Sequence, residues 1–216
     1  MGFIMNKDQF DYIAKFYDFL AAIVFGKAIQ EIQLKHLEKV RKNSRILIIG
    51  GGSGKILKKI DQLGIASEVV YIEKSPKMTA LAKKNSIRTP VKFVSTSYEN
   101  AKDYGQFDLV ITNFFVDLLN EKQFQKFIPF IYSLLTDSGK WIVTDFRIHE
   151  RFPLRSLHKL IHLSMVSFFR ITVNLQNTKL FNYHTLIHES HFFQAESKKY
   201  AYMHMMFSSI FKKRKM

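Results

Sequence analysis

The chain has 216 residues, 47% of them hydrophobic, with 33 Lys and Arg against 18 Asp and Glu, a formal charge of +15. That length and apolar content suit one globular domain with a full core and exclude a disordered chain. The lack of cysteine excludes disulfides, thiolate metal sites and cysteine nucleophiles, and the longest apolar run, Phe19 to Phe25, is too short to span a bilayer.

From Asn6 the apolar positions Phe10, Ile13, Tyr17, Leu20 and Val24 recur at helical spacing until Gly26, and a second helical segment runs to about Lys42. The chain then alternates. Strand-like runs at Arg45–Ile49, Glu68–Glu73, Val91–Ser95, Phe107–Thr112 and Lys140–Phe146 are separated by helix-like runs at Lys55–Leu63, Pro76–Lys84 and Glu121–Leu135. Strand and helix taking turns predicts an α/β fold: a Rossmann-like, doubly wound, mostly parallel seven-stranded sheet with helices on both faces. The stretch Leu154 to Arg170 reads as an amphipathic helix. Leu154, Leu157, Ile161, Met165 and Phe168 form its expected apolar stripe, and Arg155, Lys159, His162 and Arg170 its charged side. A further helix opens near Thr178, and the last two strands are expected at Phe192–Lys199 and His204–Phe211. The whole reads as a single domain over 1–216: N-terminal helices to 43, a cofactor-binding core over 44–146, and an acceptor-side lid with the last strands over 147–216.

Ligands of such sheets bind at the carboxyl ends of the strands, and the first strand runs straight into Gly50-Gly51-Gly52-Ser53-Gly54. A phosphate-binding P-loop needs a Ser or Thr after its Lys, and Ile56 follows Lys55. A dinucleotide fingerprint fits weakly, because its third glycine would fall on Lys55 or Leu57. What remains is Gly-x-Gly-x-Gly at 50, 52 and 54, where bare backbone approaches a ligand closely.

"ILIIGGGSG", followed by an acidic residue at the end of the second strand in "VVYIEKS", resembles motifs of the class I S-adenosylmethionine-dependent methyltransferases. The resemblance continues in "VKFVSTSYEN", "FDLVITNFF" and "LLTDSGKWIVTDF". Upstream, "FDYIAKFYDFL" is similar to the N-terminal helix of the ubiquinone/menaquinone C-methyltransferase branch. It implies S-adenosylmethionine as cofactor and S-adenosylhomocysteine as product. Gly50, Gly51, Gly52, Ser53 and Gly54 would lie against the methionine part, and Glu73, beside Lys74, would take the ribose hydroxyls. Ser97 and Tyr98 would stand on the adenine side, with Asn113 near the cofactor and Tyr17 in its roof. Two positions depart from the pattern: Ile48 replaces the acidic residue two before the first glycine, and Ser97 replaces an Asp.

Asp117 and His149 follow the fourth and fifth strands, where acceptor-side catalytic groups belong; a helix cap and a surface histidine are the competing readings. His184, His188 and His191 invite a metal reading, but "HTLIH" lacks the Glu of a zinc-protease motif, so no metal is expected. Residues 151 to 216 hold 11 Lys and Arg against 2 Asp and Glu, which points to an anionic partner surface. The expected activity is methyl transfer to a small or lipophilic acceptor, quinone-, polyene-, aryl- or lipid-like, in a cytoplasmic protein with peripheral contact to an anionic membrane. Nucleic acid is not expected, because no reading helix or aromatic stacking sheet is legible. The alternatives are an aminopropyltransferase-like enzyme of the same fold and a non-catalytic cofactor-binding module.

Overall fold

The computed structural model describes residues 25–173, 180 and 182–214. In chain order the elements are α1 (Ala28–Leu34), β1 (Ser44–Ile49), α2 (Lys55–Leu63), β2 (Ala66–Ile72), α3 (Pro76–Ala82) and β3 (Val91–Val94). They continue with β4 (Phe107–Asn113), α4 (Glu121–Leu134), β5 (Leu135–Phe146), α5 (Leu154–Val173), α6 (Tyr183–Glu189), β6 (Phe193–Ala201) and β7 (Met206–Lys213). The strands form one seven-stranded sheet in the order β3-β2-β1-β4-β5-β7-β6. Pairing is parallel from β3 to β5, while β7 runs antiparallel to both β5 and β6.

The doubly wound expectation holds because the central strands are apolar on both faces. Leu47 and Ile49 of β1 point into a core shared with α4 and α6, and Ile46 and Ile48 into the opposite core against α2. Alternation at period two thus sends neighbours to separate layers, as a sheet covered on both sides requires. Ile48, at the place where the family carries an acid, is a buried core residue. Local signals set the helix starts. Ser75 accepts from the Met78 amide at 3.2 Å with Pro76 behind it, and Asn120 and Gln123 close a capping box on α4.

Several expectations change. The segment up to Val24 lies outside the described residues. The second helical segment is shorter than expected, one helix to Leu34 and a 3-10 turn over Leu37–Lys39. Residue 178 is likewise outside the described residues, and the helix expected there is α6, capped by Asn182. The fifth strand starts at Leu135 rather than Lys140, with Leu135 paired to Phe107. On α5 the expected stripe holds in part: Ile161 packs toward Phe146 and Leu154 is half-buried, whereas Leu157 at its edge is exposed. His158, which sequence reasoning left out of the stripe, is fully buried on the same side, satisfied by a pair of hydrogen bonds: its Nδ1 accepts from the His149 amide at 3.0 Å and its Nε2 meets the Met203 carbonyl at 3.1 Å. Burial satisfied in this way holds the imidazole neutral, and its pKa is pushed down chiefly by desolvation.

Candidate functional site

The glycine turn joins β1 to α2 at the carboxyl edge of the sheet, and each glycine has its own reason to be there. A Cβ at Gly50 would lie 2.6 Å from Phe115, one at Gly51 2.2 Å from the Tyr71 ring, and one at Gly54 2.8 Å from Ala82. These three are glycine because the protein packs against them. Gly52 differs: a Cβ there would meet nothing within 4 Å, yet its φ of 62° lies in the left-handed region. It is the point where the turn opens outward.

The turn is held from below. Tyr71 donates to the Gly52 carbonyl at 2.8 Å and Asn85 Nδ2 to the Ser53 carbonyl at 3.2 Å. Glu73, one residue past β2, accepts from the Gly52 amide at 2.9 Å through Oε2 and from the Ser75 amide at 2.8 Å through Oε1. The Lys74 amide also bonds this carboxylate, and the lone pair that the three amides leave is open to a ribose hydroxyl. Burial raises its pKa, and the backbone amides oppose that rise. Lys74 beside it is exposed.

Across the edge, Asn113 ends β4 with its Oδ1 buried and without a protein partner. A buried acceptor left open beside the glycine turn fits a ligand donor. The next residue, Phe114, has φ 51°, a costly conformation for a bulky side chain. It is held by its amide bond to the Thr144 carbonyl at 2.7 Å and by ring packing on Phe146 at 4.8 Å between centroids.

Beyond β3 the structure separates the two expected residues. Ser97 is exposed and donates to Glu99, a carboxylate two residues past the motif position. Tyr98 directs its ring inward, edge-on to Phe115, Phe127 and Phe130 at 5.7, 5.0 and 5.6 Å. Its hydroxyl is hydrogen-bonded to the same Glu99 carboxylate. Tyr17 lies outside the described residues.

Asp117 and His149 are not brought together. His149 is half-buried beside His158 and His204, with both ring centroids 6.1 Å away, and its Nδ1 accepts from the Arg151 amide at 3.1 Å. Among the described residues no group of three or more His, Asp or Glu is placed to hold a metal ion. Asp117 instead shares its site with Asp145, a residue that sequence reasoning passed over. Asp145 is fully buried at the end of β5 and accepts from the amides of Val116, Asp117 and Phe146 at 3.0, 3.2 and 2.8 Å. Asp145 and Asp117 both hold the Val116–Leu118 turn, since the Asp117 carboxyl accepts from its own and the Leu118 amide. Burial raises Asp117 to about 6, and burial together with the Asp117 charge raises Asp145 well above the usual carboxylate range. Two such neighbours do not both ionise cheaply, so the pair retains a proton near neutral pH. The signal available in the sequence was an Asp inside the apolar run "WIVTDF".

Raised carboxyl pKa values mean that the folded chain binds more protons than the unfolded one above the ordinary carboxylate range. The pair's contribution to stability is therefore greatest in acid and is lost as pH rises through about 6. Asp145→Asn should flatten that slope, reducing the difference in Tm between mildly acid and mildly alkaline buffer by several degrees, since about 1 kcal/mol corresponds to about 2–4 °C in a chain of this size. Thermal melts across pH check this, and an unchanged slope would show the two carboxyls to be uncoupled.

Residues 46–139 match the methyltransferase domain family. That segment, less than half of the chain, is similar to a methyltransferase domain. Solved structures extend the likeness in fold beyond that segment. A chain from the Haloferax volcanii complex of the Trm112 methyltransferase activator with its methyltransferase superposes with TM-score 0.72 at 10% identity, covering 99% of this chain and 100% of its own. The Burkholderia thailandensis 1,6-didemethyltoxoflavin-N1-methyltransferase, solved with its acceptor and S-adenosylhomocysteine, gives 0.63 at 13% identity, covering 97% and 88%. The ribosomal protein L11 methylase of Lactobacillus delbrueckii subsp. bulgaricus gives 0.58 at 17% identity, covering 88% and 80%. No curated protein matches the sequence. The donors and acceptors at this sheet edge fit S-adenosylmethionine: Glu73 would hold the ribose, the Gly52 opening would face the methionine part and Asn113 Oδ1 would accept from a donor. When bound, S-adenosylmethionine supplies a methyl group on a sulfonium, and the chain's task is to align an acceptor with it.

Proposed function

We propose that this methyltransferase acts on a small lipophilic acceptor, of aryl, quinone, polyene or lipid-like type, that surrenders a proton as it is methylated. The carrying observation is the juxtaposition at the ends of β4 and β5. Half-buried Phe114 forms an aromatic wall backed by the buried rings of Phe146 and Phe25, the latter 5.2 Å from Phe146 and 4.9 Å from Tyr202, and the Asp117–Asp145 pair lies at the same strand ends. An aromatic wall favours an apolar or aromatic acceptor. A carboxyl that titrates near neutrality is suited to take a proton from a phenol, hydroquinone or activated carbon, so Asp117 is assigned as the base and Asp145 as the residue that positions it. His149 stands further along the acceptor side and is assigned to its rim.

The likeness of "FDYIAKFYDFL" to the quinone C-methyltransferase branch supports a quinone-type acceptor in particular. A cavity of about 120 Å³ past the end of β5, lined among others by Arg147, Glu150, Tyr183, His184, Lys198 and Phe207, offers two cations against one acid to an anionic or phenolic group on such a molecule. The cysteine-free composition accords with a cytoplasmic setting, and an acceptor of this kind would be met at a membrane surface.

The test is transfer of labelled methyl from S-adenosylmethionine to a panel of phenols, hydroquinones, unsaturated lipids, ribosomal protein and tRNA. Label is expected in the phenol or hydroquinone arm, with Asp117→Asn lowering kcat by about 10²- to 10⁴-fold while S-adenosylhomocysteine binding is retained. Label confined to protein or RNA would overturn the reading.

A further inference from the structure

α5 is tied down on one side only. His158 and Ile161 face the molecule, where Ile161 packs with Phe114 and Phe146 at the carboxyl end of the sheet. The outer side is apolar as well. Leu157, Leu160 and Leu163 are 38%, 64% and 61% exposed, and Phe152 just before the helix is 82% exposed. At 100° per residue the three leucines fall within about 120° of arc, with Lys159 and Arg155 at one edge. A contiguous exposed apolar face of this kind marks an interaction surface.

Charge identifies the partner. From Arg151 to His188 the chain has no Asp or Glu, while Arg151, Arg155, Lys159, Arg170 and Lys179 are all basic. The acid just before this stretch, Glu150, lies 3.8 Å from Arg147. Leucines beside cations without acidic neighbours match a bilayer surface with anionic headgroups, where chains accept the apolar side and phosphates the cations. No helix among the described residues is long and apolar enough to cross a membrane, so contact is made by lying on it.

We propose that the outer face of α5 docks this methyltransferase on an anionic membrane, with Phe152, Leu160 and Leu163 entering the headgroup boundary and Arg151, Arg155 and Lys159 meeting phosphates. The inner face of the same helix covers Phe114 and Phe146, so docking brings the proposed acceptor wall to the lipid. In purpose the proposal rests on the lipophilic-acceptor reading; in measurement it does not, because lipid binding needs no acceptor.

The experiment is co-sedimentation with vesicles of phosphatidylcholine alone and of phosphatidylcholine mixed with phosphatidylglycerol, at low and high salt. The wild type is compared with the double variant Leu160→Ser/Leu163→Ser. Both substituted residues are exposed, so the variant should keep its melting temperature and its S-adenosylhomocysteine affinity. Expected is binding to the anionic vesicles that weakens at high salt and falls by about tenfold or more in the variant. No binding to anionic vesicles, or equal binding by the variant, would overturn the proposal. So would a wild-type dimer in light scattering that the variant dissolves, since the face would then join two copies of the chain. Vesicle binding retained alongside failure to methylate any lipophilic acceptor would leave the docking standing and remove the acceptor reading alone.

Discussion

Glu73→Ala should reduce S-adenosylhomocysteine affinity by about 10- to 10²-fold in a calorimetric titration, the larger of the two ligand effects expected here. The figure follows from one charge-assisted hydrogen bond to a ribose hydroxyl at about 1.5–3 kcal/mol. The same carboxylate accepts from the Gly52 and Ser75 amides, so alanine also releases the glycine turn from the end of β2. Glu73→Gln separates the two roles, because an amide keeps one acceptor oxygen and lacks the charge; its loss should be intermediate. Acid should act in the same direction. Burial raises the Glu73 pKa, and a protonated carboxyl is a poorer acceptor, so wild-type affinity should begin to fall at a higher pH than an ordinary glutamate would give. Unchanged affinity in Glu73→Ala would place the ribose elsewhere.

Gly51→Ala and Gly52→Ala should fail in different ways, although the residues are adjacent. A Cβ on Gly51 would lie 2.2 Å from the ring of Tyr71, which is fully buried and whose hydroxyl is engaged by the Gly52 carbonyl. That ring has nowhere to go, so overpacking should cost about 1–3 kcal/mol or more and lower Tm by many degrees. A Cβ on Gly52 meets no atom, and its cost is the left-handed backbone, about 1–2 kcal/mol. Gly52→Ala should therefore stay folded and lose cofactor affinity, because its methyl occupies the opening of the turn. Paired thermal melts and titrations distinguish these outcomes. Equal loss of stability in both variants would mean that Gly52 is also packed from within.

How much of this was legible in advance depended on the range of the interaction. Apolar runs ending at Ile49, Ile72 and Asn113, capping residues at Ser75 and Asn120, and glycines at 50 to 54 are local signals, and the strand-helix alternation and the methyltransferase motif both follow from them. The position of Glu73 just after a strand was legible for the same reason, and its ribose role is what the family resemblance implies. Ser97 shows the limit of local signals. The family resemblance implied a place for it on the adenine side, and its bond to Glu99 was not legible, because side-chain direction within a loop carries no period.

Composition and pattern by themselves determined the layers of this protein, because burying a two-faced apolar sheet admits few arrangements once each strand is followed by a helix. The partners of polar groups met across long stretches of chain were decided only in three dimensions. Asp145 meets the turn holding Asp117 from 28 residues away, and His158 meets Met203 across 45, which places an imidazole on the inward side of α5 beside Ile161. A buried carboxylate or imidazole must find its hydrogen bonds wherever the fold brings them, and no local pattern in the sequence names those partners.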